Sequence, residues 1–123
     1  MVNREAQLSA FEDRTAKFSI DILKLMESQP WSRVMLRVVE QLSDAATSVA
    51  SNHRAVRRSR SAKEFAAKLQ IVNEEIDESV HWLETIQIVG ACQFPDRLAA
   101  LLTEGRELRS MFAAARRTTR RLR

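Results

Sequence analysis

The sequence has few of the residues that break regular structure or cross-link a chain. Its 123 residues include two glycines, two prolines, one cysteine and no tyrosine. Sheet proteins need more turn-forming, β-branched and aromatic residues than this, so a chain that is 45% hydrophobic and 29% charged is predicted to be helical. Because Cys92 is alone, no internal disulfide can form, and a reducing, cytoplasmic location is expected.

Long apolar runs are also missing. The longest, LAALL and MFAAA, have five residues each, whereas a membrane-spanning helix needs roughly 20. The N-terminal MVNREAQLSAFED has no apolar segment of the kind that signal peptides carry. We therefore expect no membrane partner, and a single domain over residues 1–123 that is long enough to bury a core.

Apolar residues recur every three or four positions in four segments, which predicts helices over about residues 10–28, 32–58, 61–89 and 96–120. The first helix is predicted to begin with a capping box, Ser9-Ala-Phe-Glu12, and to end before Pro30. A second capping box at Ser61 opens the third helix, and Gly90 ends it. The stripe of this third helix is the clearest in the chain and has one polar member: Phe65, Leu69, Val72, Ile76, Val80, Leu83 and Gln87.

A glycine in the middle of the fourth segment, Gly105, costs about 1 kcal/mol relative to alanine in a helix. Its presence there indicates close packing against a neighbour. Four amphipathic segments joined by short connections predict an all-α fold, an antiparallel up-down four-helix bundle.

Residue patterns that support catalysis or metal binding are absent. Glu78 and His81 form an E-x-x-H pair, but di-iron bundles need a second such pair, and the residue three before the other histidine, His53, is Ala50. No Ser-His-acid or Cys-His arrangement is supported, and the two glycines cannot make a phosphate-binding loop. We expect no metal, no cofactor and no enzymatic activity.

Charge is unevenly distributed along the chain. Two segments hold five cations each and no acid, and without those ten cations the formal net charge of +4 would be −6. The candidate nucleic-acid-binding residues are these cations: Arg54, Arg57, Arg58, Arg60 and Lys63 in the first segment, and Arg116, Arg117, Arg120, Arg121 and Arg123 in the basic C-terminal end, residues 116–123.

Such clusters neutralise phosphates without reading sequence. Aromatic residues for stacking on bases are missing from the first segment, which has only His53 beside it, because Phe65 is assigned to the core. The alternative is that the first segment is only a solvated helix end, where cations interact favourably with the helix dipole. A second run, Glu74 to Glu78, is acidic and is either a solvated face or a partner for arginines of another subunit.

Short motifs distributed over most of the chain match one bacterial family in order and spacing. They are Phe11-Glu12-Asp13, Gln41-Leu42, Ala45-Ala46, Ser48-Val49, Asn52, Arg57-Arg58-Ser59, Lys63-Glu64-Phe65, Glu78-Ser79 and Trp82-Leu83-Glu84. In these the chain resembles the four-helix-bundle proteins encoded in intervening sequences of 23S ribosomal RNA genes. That family includes accessory proteins of the reverse transcriptase of diversity-generating retroelements.

The resemblance implies a bundle that assembles into a ring-like homopentamer without established enzymatic activity. In the accessory branch, it implies a basic surface that binds nucleic acid and the reverse transcriptase. Here Ala50 stands where members often have proline, and Arg54-Ala55-Val56 replaces Ala-Glu-Gly. Losing proline and glycine should extend the second helix into the basic stretch, and the exchange makes that end more positive.

Two functions of different classes agree with these patterns. The first is a non-catalytic oligomeric bundle that binds RNA or DNA without sequence specificity and serves as an accessory to a reverse transcriptase. The second is a structural or protein-interaction module with no nucleic-acid binding, whose arginines pair with acidic faces of sister subunits or of a partner.

Overall fold

A computed structural model describes the backbone of residues 3–121 and the side chains of residues 3–119. Four helices, α1 (Arg4–Glu27), α2 (Arg33–Arg57), α3 (Ala62–Val89) and α4 (Pro95–Arg121), are joined by connections of four or five residues. Helices that follow one another in the chain pack together, and α1 packs against α4, so each helix contacts two others. The predicted all-α, antiparallel up-down four-helix bundle is confirmed. Within the described part of the chain, no helix combines the length and apolarity needed to span a bilayer.

Side-chain caps define where the helices begin. Ser32 Oγ accepts from the Met35 amide at 3.2 Å, and Ser61 Oγ accepts from the Glu64 amide at 3.0 Å. These bonds satisfy amides that have no partner within the first helical turn. Gly90 ends α3 in the left-handed region, at φ 73°, which glycine adopts without steric cost. The bounds of α2, α3 and α4 lie within one residue of the prediction.

The predicted start of α1 is wrong. The helix begins at Arg4 instead of near residue 10, because Asn3 provides the cap and its side chain accepts from the Glu5 amide at 2.8 Å. Ser9, the predicted cap, lies inside the helix. Residues 3–10 are all exposed, so this part of the helix carries no apolar stripe from which its presence could be predicted.

One core lies between the four helices, and the stripes predicted from periodicity supply most of it. The third helix differs from its predicted stripe at both ends: Phe65 is only partly buried, and Ile86 is fully buried where Gln87 is exposed. At the end of the bundle near the α3–α4 connection, Gln29 joins two loops. Its side chain donates to Ala91 O at 3.1 Å and accepts from the Gln93 amide at 2.6 Å.

Gly105 packs closely against two neighbouring helices, as predicted. A Cβ atom at this position would lie 3.1 Å from Phe18 Cζ of α1 and 3.1 Å from Val80 Cγ2 of α3. Both side chains are fully buried in the core, where packing is close. The helix-propensity cost of glycine is therefore offset by a close approach that a Cβ atom would disturb.

We expect Gly105→Val to lower the free energy of unfolding by about 2 kcal/mol, because overpacking of a filled core outweighs the small gain in helix propensity. Chemical denaturation followed by circular dichroism measures it. Ala99→Val, at an exposed position of the same helix, is the control and should cost less than about 1 kcal/mol. Equal losses in the two variants would contradict the close-packing explanation.

Candidate functional site

The helix directions bring both basic segments to one end of the bundle. Because neighbouring helices are antiparallel, the C-termini of α2 and α4 lie beside the N-termini of α1 and α3. A surface hollow shows the proximity directly, since Arg60 and Phe65 line it together with Thr118 and Thr119 of α4. We call this the basic end, defined by residues 54–63 and 116–121. The sequence indicated two separate clusters, and the fold makes them neighbours.

Most cations at the basic end face solvent. Arg54, Arg58, Arg60, Lys63 and Arg117 are exposed, and Arg116 is half-buried. Arg58 is the C-cap of α2, where positive charge suits the helix dipole, and it lies 3.6 Å from Glu12 Oε1. Of the other cations of this end whose side chains are described, Arg57 pairs with two acids, and five pair with no carboxylate among residues 3–119: Arg54, Arg60, Lys63, Arg116 and Arg117.

Arg57 differs from its neighbours, because two acids of α1 already neutralise it. Its guanidinium donates to Glu12 Oε2 at 2.6 Å and to Glu5 Oε1, and its side chain is only 21% exposed. The hydrogen bond to Glu12 and the charges of both acids raise the pKa of Arg57. Arg57 therefore ties α1 to α2 and is not free for a phosphate in this structure, although the sequence placed it in the candidate site.

Glu12 responds in the opposite sense. Burial alone would raise the pKa of its carboxyl. The hydrogen bond from Arg57 and the charges of Arg57 and Arg58 lower that pKa by more, so the net shift is downward. Glu12 therefore stays ionised beside the two arginines. This pairing reduces the positive charge that the basic end presents.

Three further predicted residues come last in the sequence: Arg120, Arg121 and Arg123. Arg120 and Arg121 belong to the last turn of α4. Arg123 lies outside the described residues. Their predicted role in binding stays a prediction.

His53 is a buried residue for which the sequence predicts no functional role. Its ring contacts Phe11 and Phe112 edge-on, with centroid separations of 4.6 and 4.9 Å. Its Nδ1 has no hydrogen-bond partner among the described residues. Burial and the nearby Arg57 charge lower the pKa of His53 to about 4, although Glu12 acts in the opposite direction. His53 is thus neutral at pH 7. A signal was available in the sequence, because His53 lies four residues after Val49 and three before Val56, the spacing of a buried helical stripe.

The remaining candidates lie elsewhere. Glu78 Oε1 accepts from Trp82 Nε1 at 3.2 Å, and the exposed His81 packs its ring against Trp82. The part of the chain that the structure describes contains no group of three or more His, Cys, Asp or Glu residues positioned for a metal.

The acidic run on α3 continues onto α2. Burial, and then the charges of Glu78, Glu74 and Asp44, raise the pKa of Glu75, which places Asp44 of α2 close to this run. Asp77 is engaged within the bundle, since its Oδ1 accepts from Arg109 Nη1 at 3.2 Å. The α2–α3 side of the bundle therefore carries a negative surface.

Comparison with family models, with curated proteins and with solved structures finds no match for this chain. The resemblance described from the sequence motifs stays a prediction.

The burial of His53 predicts acid sensitivity. Its pKa of about 4 lies below the value of 6.5 in the unfolded chain, so the unfolded state binds a proton that the folded state excludes. Stability therefore falls as pH drops below 6.5, by about 2 kcal/mol between pH 7 and pH 5. Glu12, whose folded pKa is lowered from 4.5, contributes a further loss only at lower pH.

Urea unfolding at pH 7, 6 and 5 measures this loss. His53→Leu should remove most of the pH dependence in that window, because the titrating group is gone. The control is His81→Gln at the exposed histidine, which should keep the wild-type slope. A His53→Leu protein with an unchanged slope would refute the assignment.

Proposed function

We propose that this protein is a non-catalytic, oligomeric helical-bundle protein that binds RNA or DNA through its basic end, without sequence specificity. One observation carries the proposal: cations from two distant segments meet at one end of the bundle, and five of them pair with no carboxylate among residues 3–119. A phosphate backbone supplies the regularly spaced negative charge that such a cluster lacks.

The charge on the rest of the surface also favours binding of a polyanion at the basic end. Apart from the ten cations of the two basic segments, the chain carries a formal charge of −6, and the α2–α3 side has Asp44, Glu74, Glu75 and Glu78 close together. A polyanion is repelled there and attracted at the basic end. This separation of charge steers a nucleic acid toward one end before contact is made.

The individual cations have different roles in this proposal. The exposed Arg54, Arg58, Arg60 and Lys63 contact phosphates, and Arg116 and Arg117 extend the contact along α4. Arg120, Arg121 and Arg123 continue the same basic segment. Arg57 holds the end of α2 against α1 through Glu5 and Glu12 and positions its neighbours.

The finer role is that of an accessory factor to a reverse transcriptase of a diversity-generating retroelement. The motifs shared with that family support it, as does the extension of α2 to Arg57, in the stretch where members often have an Ala-Glu-Gly. A homopentameric assembly is part of the same proposal.

A second candidate, a protein-interaction module, is favoured by the opposite end of the bundle. Several apolar side chains are exposed there, which we call the apolar end: Ile20, Leu23, Val34, Leu36, Ile88, Val89 and Phe94. Val34 and Ile88 are 76% and 84% exposed. A groove of about 460 Å³ between α1 and α2, lined by Trp31 and Leu36 among others, opens at this end. Exposed apolar groups gathered in one region are typical of contact surfaces between proteins.

Salt dependence of binding tests the nucleic-acid function. Arg58→Gln with Arg60→Gln should weaken binding of labelled single-stranded RNA and lower the slope of log Kd against log salt by about 1.4, since each lost phosphate contact contributes roughly 0.7. Fluorescence anisotropy at several salt concentrations measures it. The control, Arg33→Gln with Arg37→Gln, removes two exposed cations near the apolar end and should leave the slope unchanged. Equal effects of the two pairs, or no binding at low salt, would refute the proposed site.

Assembly is tested without nucleic acid. Val34→Glu with Ile88→Glu should convert the oligomer to the 14.1 kDa chain, because a buried unpaired charge prevents apolar contact. Light scattering after size-exclusion chromatography gives the mass. Arg58→Gln with Arg60→Gln is the comparison: loss of assembly in this pair, and not in the first, would show that the basic end mediates self-association.

A further inference from the structure

An apolar chamber lies beneath the basic end, and the polyanion-binding function makes no use of it. Its volume is about 340 Å³, within the range of pockets that hold small molecules. All four helices contribute to its walls, as does Ser59 of the α2–α3 connection. The lining residues that matter here are Leu8, Phe11, His53, Phe65, Leu69 and Phe112.

The chamber adjoins the surface hollow described above, because Leu8, Ser59, Phe65 and Ala115 line both spaces. The hollow therefore offers a route into the chamber. The hollow measures about 700 Å³, and its rim carries the cations Arg4 and Arg60. A molecule that enters therefore passes positive charge first and reaches aromatic and aliphatic side chains afterwards.

The inner walls offer little to a charged or strongly polar group. Arg57 and Glu5 both line the chamber, but they pair with each other, and Glu12 also neutralises the guanidinium of Arg57. His53 adds a ring nitrogen, Nδ1, that is itself buried and has no partner among the described residues. A group with several polar edges, such as a nucleobase, would lose its water there without enough replacements. An apolar body is the better occupant.

From this arrangement we infer that the chamber binds a small amphipathic monoanion, an aromatic or aliphatic body with one carboxylate. The body occupies the space between Phe11, Phe65 and Leu69, and the carboxylate stays in the hollow near Arg60, where it keeps part of its hydration. The site goes beyond nucleic-acid binding and does not rest on it, because its walls are apolar and its ligand carries a single charge.

Methyl resonances of the intact protein test the site, with 2-naphthoate as the probe. Signals of Leu8, Val56 and Leu69 should shift with a Kd below about 1 mM, while those of Leu23 and Leu36 at the apolar end stay in place. The neutral isostere, 2-naphthalenemethanol, should bind at least about fivefold more weakly, because it lacks the attraction to Arg60. Arg60→Gln should reduce this preference.

A filled chamber is the decisive variant. Ala115→Leu places extra side-chain volume where the chamber meets the hollow and should weaken naphthoate binding at least about tenfold. Ala114→Leu, at the exposed neighbouring position of α4, should bind as the wild type does. Unchanged binding in Ala115→Leu, equal affinity for the neutral isostere, or shifts centred on the apolar end would each overturn the inference.

Discussion

Connections of four or five residues determine much of what this molecule presents to its surroundings. A chain that leaves one helix and enters the next within so few residues must run back along its predecessor. Three such reversals place four helix termini at each end of the bundle. Sequence segments separated by half the chain, such as residues 54–63 and residues 116–121, thereby become neighbours. The basic end is a consequence of topology as much as of composition.

Within that end, the pairing of Arg57 decides which charges remain free. Its two acidic partners, Glu12 and Glu5, precede it by 45 and 52 residues, and together they hold the first turns of α1 against α2. The pair removes one cation from the binding surface and fixes the position of the others. Arg57 and Glu5 also line the chamber, together with His53. The ion pair between them therefore belongs both to the surface and to the pocket beneath it.

The fold could be predicted from the sequence because its signals are local. The capping box at Ser61 and the stripe of α3 depend on neighbours within one or two turns. The start of α1 was missed because a capped helix with no buried side chain has no periodic signal. A step of four residues from Leu83 predicts Gln87 in the core, but the helix buries Ile86, which is three residues after Leu83. At the candidate site the limits are different. The acids that engage Arg57, and the contacts of Phe11 and Phe112 with His53, depend on long-range packing that no local pattern encodes.

The N-terminal turns of α1 cover the chamber, yet every residue from Asn3 to Ala10 is exposed. Such a segment has little buried apolar area to hold it, and local opening begins where that area is smallest. Because Glu5 and Leu8 of these turns line the chamber, fraying would widen it, whereas the close contact of Gly105 with Phe18 and Val80 lies farther along the bundle. Within these turns Glu5 is tied to α2 by its ion pair with Arg57, so this pair opposes their fraying.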